Sequence, residues 1–174
     1  EHPLALAMAA RIMGSVPQED GSAQFPKRPA PPGASAPDKT PAPITAESLL
    51  SEARALAADD QAALAAVNQV QEMGTVGRGA EGGAIRHIDV VRPGTIDTYV
   101  VRFVGLEPAE VLIVGDGSTD LDLEVYDHNG NLIGRDIDNT DRCYVSWFPR
   151  KTGPFLLRIT NHGQRSNAYT LLTN

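Results

Sequence analysis

Two hydrophobic periods divide this chain. From Ile85 onward apolar and polar residues alternate, whereas before it apolar residues recur every three or four positions. These are the signatures of half-buried strands and of amphipathic helices. Tyr99, Val101 and Phe103 share one strand face while Arg102 points away. Leu121, Leu123 and Val125 alternate with Asp120, Asp122 and Glu124, and Phe155, Leu157 and Ile159 repeat the pattern. About eight short strands are predicted, near residues 86–91, 97–104, 109–115, 121–127, 131–135, 143–148, 154–160 and 168–173. Turn residues separate them, among them Pro93-Gly94, Gly115-Asp116-Gly117, Asn129-Gly130 and Thr152-Gly153. Asn129-Gly130 is the strongest hairpin cue, because both residues accept a positive φ. Short, closely spaced strands with no helix between them predict a mainly β fold, an antiparallel β-sandwich over residues 85–174.

The residues before Ile85 read differently. Leu4, Met8 and Ile12 recur every four positions, so residues 2–13 predict a short helix that Gly14 ends. Residues 45–73 form the longest helical stretch, with Thr45 as N-cap and Glu47 in the first turn. Leu49, Leu50, Ala53, Leu56 and Ala57 make one apolar face; Leu64, Val67, Val70 and Met73 make another. Asp59 and Asp60 suit a cap better than a helix interior, so two helices, or one broken there, are predicted. Gly74–Gly83 reads as a flexible joint. Most of the 13 prolines lie between Pro17 and Pro43. Proline fixes φ and lacks a backbone donor, which makes that stretch an extended arm without a core. The chain thus divides into 1–44, a short helix and Pro-rich arm; 45–84, a helical segment and Gly-rich joint; and 85–174, the sandwich.

Composition narrows the function. The 174 residues carry a formal net charge of −7, with Asp+Glu 22 against Lys+Arg 15. Nucleic-acid affinity rests on clustered cations, so a nucleic-acid partner is not expected. No apolar run approaches the roughly 18 residues of a transmembrane helix. The chain begins at Glu1, which suggests a processed N-terminus. A single cysteine, Cys143, rules out an intrachain disulfide or a Cys-based zinc cluster, and it reads as buried more than reactive. Ser118 lacks a G-x-S-x-G setting, and His2, His87, His128 and His162 show no H-x-x-x-H spacing. No pattern supports catalysis, and the chain reads as a non-enzyme.

The order DTYVVRF, STDLDLEVYDHNGNLIGRD, FPRKTGPFLLRITN and NAYTLLTN resembles the bacterial pre-peptidase C-terminal domain family over about residues 85–174. Residues 1–84 carry no such resemblance. The most specific piece is DLDLEVYDHNGNLI, an acidic-alternating strand followed by a D-x-N-G hairpin. The resemblance implies a small jelly-roll-like sandwich, non-catalytic and appended to secreted proteases and other exported proteins, hence periplasmic or secreted. Some members of the family bind calcium and some bind polymers such as collagen. The calcium-binding members place an acidic E-x-E-x-N-D-like linker before the first strand. Here that place holds TVGRGAEGGAIRH, with Glu81 as its one carboxylate, so the family's calcium site is not carried over.

Acidic turns are the remaining candidate chemistry. Asp116, Asp120, Asp122, Asp136 and Asp138, with Asp127 and Asp141, fall in loops or strand ends that a hairpin could bring together. Calcium takes about six to eight oxygen ligands, so the first five are candidate calcium ligands, although neither acidic loop has the glycine of an EF-hand. Solvated turns and a solvated strand face account for the same residues more simply. Trp147 and Phe148 are adjacent, so on a strand they point to opposite faces, one of them to the core. Arg150 and Lys151 beside them offer a binding rim, with a helix-covered sheet as the simpler alternative. The candidate partner anchors are Leu4, Met8 and Ile12 at helical spacing, with Phe25 on the arm. Together these features point to an exported accessory protein whose sandwich and N-terminal arm mediate protein–protein association in a larger assembly, without a cofactor unless calcium binds. The alternative is a substrate-targeting or processing fragment of a secreted hydrolase, and residues 45–73 offer a surface for self-association.

Overall fold

A computed structural model describes residues 3–15, 19–20, 45–73 and 79–174. Helix α1 spans Pro3–Ser15, α2 Ala46–Leu56 and α3 Gln61–Glu72. A two-residue strand, β1 (Glu19–Asp20), is followed by β2 (Ile85–Val91), β3 (Ile96–Phe103), β4 (Ala109–Val114) and β5 (Leu121–Tyr126). Then come β6 (Leu132–Asp136), β7 (Arg142–Trp147), β8 (Gly153–Asn161) and β9 (Asn167–Thr173). Each of these last eight strands lies within one residue of its predicted bounds.

Strands β2 to β9 behave as one long hairpin rolled upon itself. β2 pairs with β9, β3 with β8, β4 with β7 and β5 with β6, all antiparallel. The tip is Asn129-Gly130, where Gly130 takes φ 81. Further pairing of β4 with β9 and β5 with β8 gives two sheets, ordered β1-β2-β9-β4-β7 and β3-β8-β5-β6. This is the double-sheet jelly roll. β1 joins parallel to the start of β2, Glu19 opposite Ile85.

The inner faces of the two sheets supply the main core, including Val111, Ile113, Leu121, Leu123, Val125, Leu157, Ile159 and Leu171. β5 shows the alternation of a sheet with one wet face, whereas β4 and β9 are buried at every residue. The cause is a helical layer. Leu112, Val114 and Leu172 face away from the sandwich and pack with Leu6, Ala9, Ala10, Leu49, Ala53, Val67 and Val70. Ion pairs from Glu52 to Arg142 and from Arg11 to Glu110 (3.7 Å) tie α2 and α1 to the covered sheet. Of the apolar faces predicted over residues 45–73, Leu49, Ala53, Ala57, Val67 and Val70 are buried inside the chain, whereas Leu56 and Met73 stay exposed.

Local capping explains the helix ends. Thr45 Oγ1 accepts from Ser48 N and Ser48 Oγ accepts from Thr45 N, each at 3.0 Å, a capping box that starts α2. Asp60 Oδ1 accepts from Ala62 N and Ala63 N at 2.9 and 3.0 Å, so the Asp59-Asp60 step breaks the stretch and starts α3. The Gly-rich joint needs correction where it is described. Ala80 N donates to Asn174 O, Glu81 N to Arg102 O, and Val104 N to Gly79 O, each at 2.7 Å. Gly79 leaves no room for a Cβ against Asn174 and Pro108, so the small residues here serve close packing. Residues 74–78 lie outside the described residues. No helix among the described residues is long and apolar enough to cross a membrane.

Candidate functional site

Successive strands run in opposite directions, so alternate loops fall at opposite ends of the sandwich. Loops 115–120, 137–141 and 162–166 form one end; loops 104–108, 127–131 and 148–152 form the other.

The first end gathers the acidic candidates, and most are engaged by the fold itself. Asp116 Oδ1 accepts from Ser118 N at 3.0 Å and its Oδ2 from Ala168 N at 3.2 Å. Asp138 Oδ1 accepts from Thr140 N at 2.9 Å and from Thr140 Oγ1 at 2.6 Å. Asp136 Oδ2 accepts from Tyr144 N at 2.9 Å, closing the gap between β6 and β7. Asp122 Oδ2 lies 2.7 Å from His162 Nε2. Buried Asp141 accepts from Gly117 N at 2.5 Å and from Asn167 Nδ2 at 3.2 Å. Asp120 is the exception: its Oδ1 is buried without a hydrogen bond. Burial, helped by the neighbouring Asp122 charge, raises its pKa. Among the described residues no group of three or more His, Cys, Asp or Glu side chains is placed to hold a metal ion. Loops distant in sequence do bring the five aspartates to one end, where four of them cap turns, bridge strands or pair with His162.

Nucleophile candidates are similarly enclosed. Cys143 is buried with Sγ 3.0 Å from Leu121 O, and burial, with Asp136 adding repulsion, pushes its thiol pKa up. Ser118 Oγ donates to Asp116 and lies near Ser166 O, with no histidine among its partners in the described residues. His87 is buried at the rim of Tyr99, in a polar network where Tyr99 contacts Tyr169 and Asp89, and Tyr169 contacts Asp97.

The second end reverses this distribution. Gly105 presses so closely on Lys151 and Thr152 that no Cβ fits. Gly105 N donates to Thr152 Oγ1 at 2.9 Å and Leu106 N to Pro149 O at 2.7 Å. These bonds hold Leu106 at φ 65, the one positive φ outside glycine among the described residues. A leucine there costs on the order of 1 kcal/mol, and its side chain is 79% exposed. Phe148, next in sequence to the Pro149 that accepts the bond from Leu106 N, is 73% exposed. Trp147 turns the other way, edge-on to Phe103 at 4.8 Å and tilted on Phe155 at 5.2 Å, with Nε1 buried and unbonded. The adjacent aromatics thus split between core and solvent as their spacing requires. The sheet that carries Trp147 is helix-covered on its outer face, as the simpler alternative had it, while Phe148 at its end stays exposed.

Phe148 lines a cleft of about 780 Å³ together with Ile133, Pro154, Phe155, Arg150 and Lys151; Asp127, His128 and Asn131 also line it. Asp127 accepts from Asn129 N (2.8 Å), Asn131 N (2.9 Å) and Asn131 Nδ2 (2.9 Å). Its bonds to Asn131 first, then Asn129, lower its pKa. Arg150 and Lys151 form no ion pair within the described residues.

The partner anchors read from the sequence sit elsewhere. Ile12 is fully buried, packed with Ala84 and Tyr144, and Leu4 and Met8 are partly buried against the helix–sheet cluster. A side chain covered by its own fold cannot reach a partner, so Ile12 is a packing residue. Phe25 lies outside the described residues. Leu106 was missed. Its signal was an apolar residue alone in the turn Gly105-Leu106-Glu107-Pro108.

No family model and no curated protein matches the chain. Among solved structures it is similar to the pre-peptidase C-terminal domain of a collagenase from Bacillus anthracis, at 12% identity and TM-score 0.45, over 57% of this chain and 91% of that one. It is also similar to a periplasmic inhibitor of g-type lysozyme from Aeromonas hydrophila, at 11% identity and TM-score 0.40, over 55% and 86%. A mitogen from Yersinia pseudotuberculosis matches at 14% identity and TM-score 0.39, over 53% and 85%.

Proposed function

We propose that this chain is a non-catalytic, exported accessory protein that holds a protein partner at the Leu106–Phe148 end of its sandwich. One observation carries the reading: at one end of the sandwich two large apolar side chains stand 79% and 73% exposed, on loops joined by the Leu106 N to Pro149 O bond, one of them on a strained backbone. Strain and exposed apolar surface both disfavour the isolated chain, and they recur where a second surface completes the packing. Enclosure of Cys143 and the internal bonding of Ser118 support the non-catalytic part. Export rests on the resemblance of residues 85–174 to exported domains. The partner surface thereby moves from the α1 stripe to the sandwich end. The test is affinity capture from the native source with the full chain and with a Leu106→Ser, Phe148→Ser variant. A stoichiometric partner held by the parent and lost by the variant is expected. Equal retention by both would overturn the reading.

A further inference from the structure

We infer that the cleft beside Phe148 selects an acidic apolar protein segment, a length of chain presenting an aromatic or leucine side chain flanked by Asp or Glu. This rests on the binding role proposed above and adds the chemistry of the ligand. The apolar part follows from the walls: Phe148, Ile133, Pro154 and Phe155 line the cleft. The acidic part follows from charge. Arg150 and Lys151 are adjacent, exposed and lining the same cleft, and no carboxylate among the described residues pairs with them. Asp127, which also lines the cleft, is turned into its own hairpin by three hydrogen bonds.

An unpaired cationic pair in a protein of net charge −7 is a local reversal of sign, and such reversals steer and select oppositely charged partners. The buried apolar anchor then supplies most of the affinity. An anionic membrane would meet the same two cations. However, the whole chain's negative charge repels such a surface, and a lined cleft suits an inserted side chain better than a flat bilayer.

Selection of a random 12-residue phage-displayed peptide library on the immobilised full chain tests this. Enrichment of Asp and Glu beside Phe, Trp or Leu is expected. A synthetic peptide from the enriched set should bind at least about tenfold more tightly than its Asn/Gln counterpart, with the advantage shrinking as salt rises. Arg150→Glu, Lys151→Glu should remove the acidic preference, and Phe148→Ser should abolish binding, both with unchanged melting temperature. Enriched apolar peptides without acidic bias would overturn the ligand class and leave the binding role standing. Failure to enrich any peptide would also overturn it; capture of the native partner, measured in parallel, then shows whether the binding role falls as well. Co-sedimentation with phosphatidylserine vesicles that Phe148→Ser abolishes, without peptide binding, would replace the inference with a membrane surface.

Discussion

The two ends of the sandwich are both made of short loops joining the same strands, yet they dispose of their side chains in opposite ways. At the acidic end Asp116, Asp136, Asp138 and Asp141 accept hydrogen bonds from backbone N–H groups of their own and neighbouring loops. At the apolar end backbone bonds such as Leu106 N to Pro149 O hold the loops together, and Leu106 and Phe148 are left to solvent. Charge density alone would have placed the binding site at the acidic end. Satisfaction of each group reverses that choice: a carboxylate already capping a turn is part of the scaffold, whereas an exposed leucine at positive φ has no role within the chain that a glycine would not fill better.

Mutations at the two ends can break this contrast. The largest effect is expected for Asp141→Ala, which strips Gly117 N and Asn167 Nδ2 of a partner in a buried setting. A loss of roughly 2–4 kcal/mol in urea unfolding is expected; a loss below about 0.5 kcal/mol would mean that the acidic loops are not scaffold. Glu110 probes the helix-covered sheet between the ends. It is 2% exposed, with Oε1 taking the Tyr144 hydroxyl at 2.7 Å and Oε2 unbonded. Burial raises its pKa above 4.5, against the pull of Tyr144 and Arg11. The folded state therefore binds this proton more tightly than the unfolded one. Its contribution is favourable below 4.5 and is lost as pH rises through the folded value. Glu110→Gln, which mimics the protonated form, should raise the melting temperature near neutrality and give little change well below 4.5; a drop near neutrality would show that the Arg11 pair outweighs burial.

Smaller effects belong to the apolar end. Phe148→Ser and Leu106→Gly should each change stability by no more than about 0.5 kcal/mol, the second because relief of strain offsets the added freedom of glycine, while both weaken partner capture. Smallest of all, millimolar calcium should leave the melting temperature unchanged, since an ion stabilises only by binding the native state and four of the five candidate carboxylates are engaged by the fold. A rise of several degrees, weakened by Asp122→Asn, would restore the acidic end as a binding site.

Strands were legible because alternation depends only on neighbouring residues: Leu121, Leu123 and Val125 announce their face without reference to anything distant. The continuous runs Ala109–Val114 and Asn167–Thr173 also read as strands, but that helices cover their second face required the fold. Sites were less legible for the same reason. Asp141 meets Gly117, Asp116 meets Ala168, and Gly105 meets Lys151 only after the long hairpin rolls up. Sequence spacing cannot show which oxygens are taken or which loop is pushed to positive φ. The stripe Leu4, Met8, Ile12 marked an apolar face correctly; only packing shows that it points inward.

Hydroxyl-radical footprinting of the full chain, free and bound to its captured partner, reads the surface directly. Oxidation of Phe148 and Leu106 should fall sharply on binding, while His162 at the acidic end stays as reactive as in the free protein. Protection of His162 with Phe148 and Leu106 unchanged would contradict the assignment and move the partner to the other end of the sandwich.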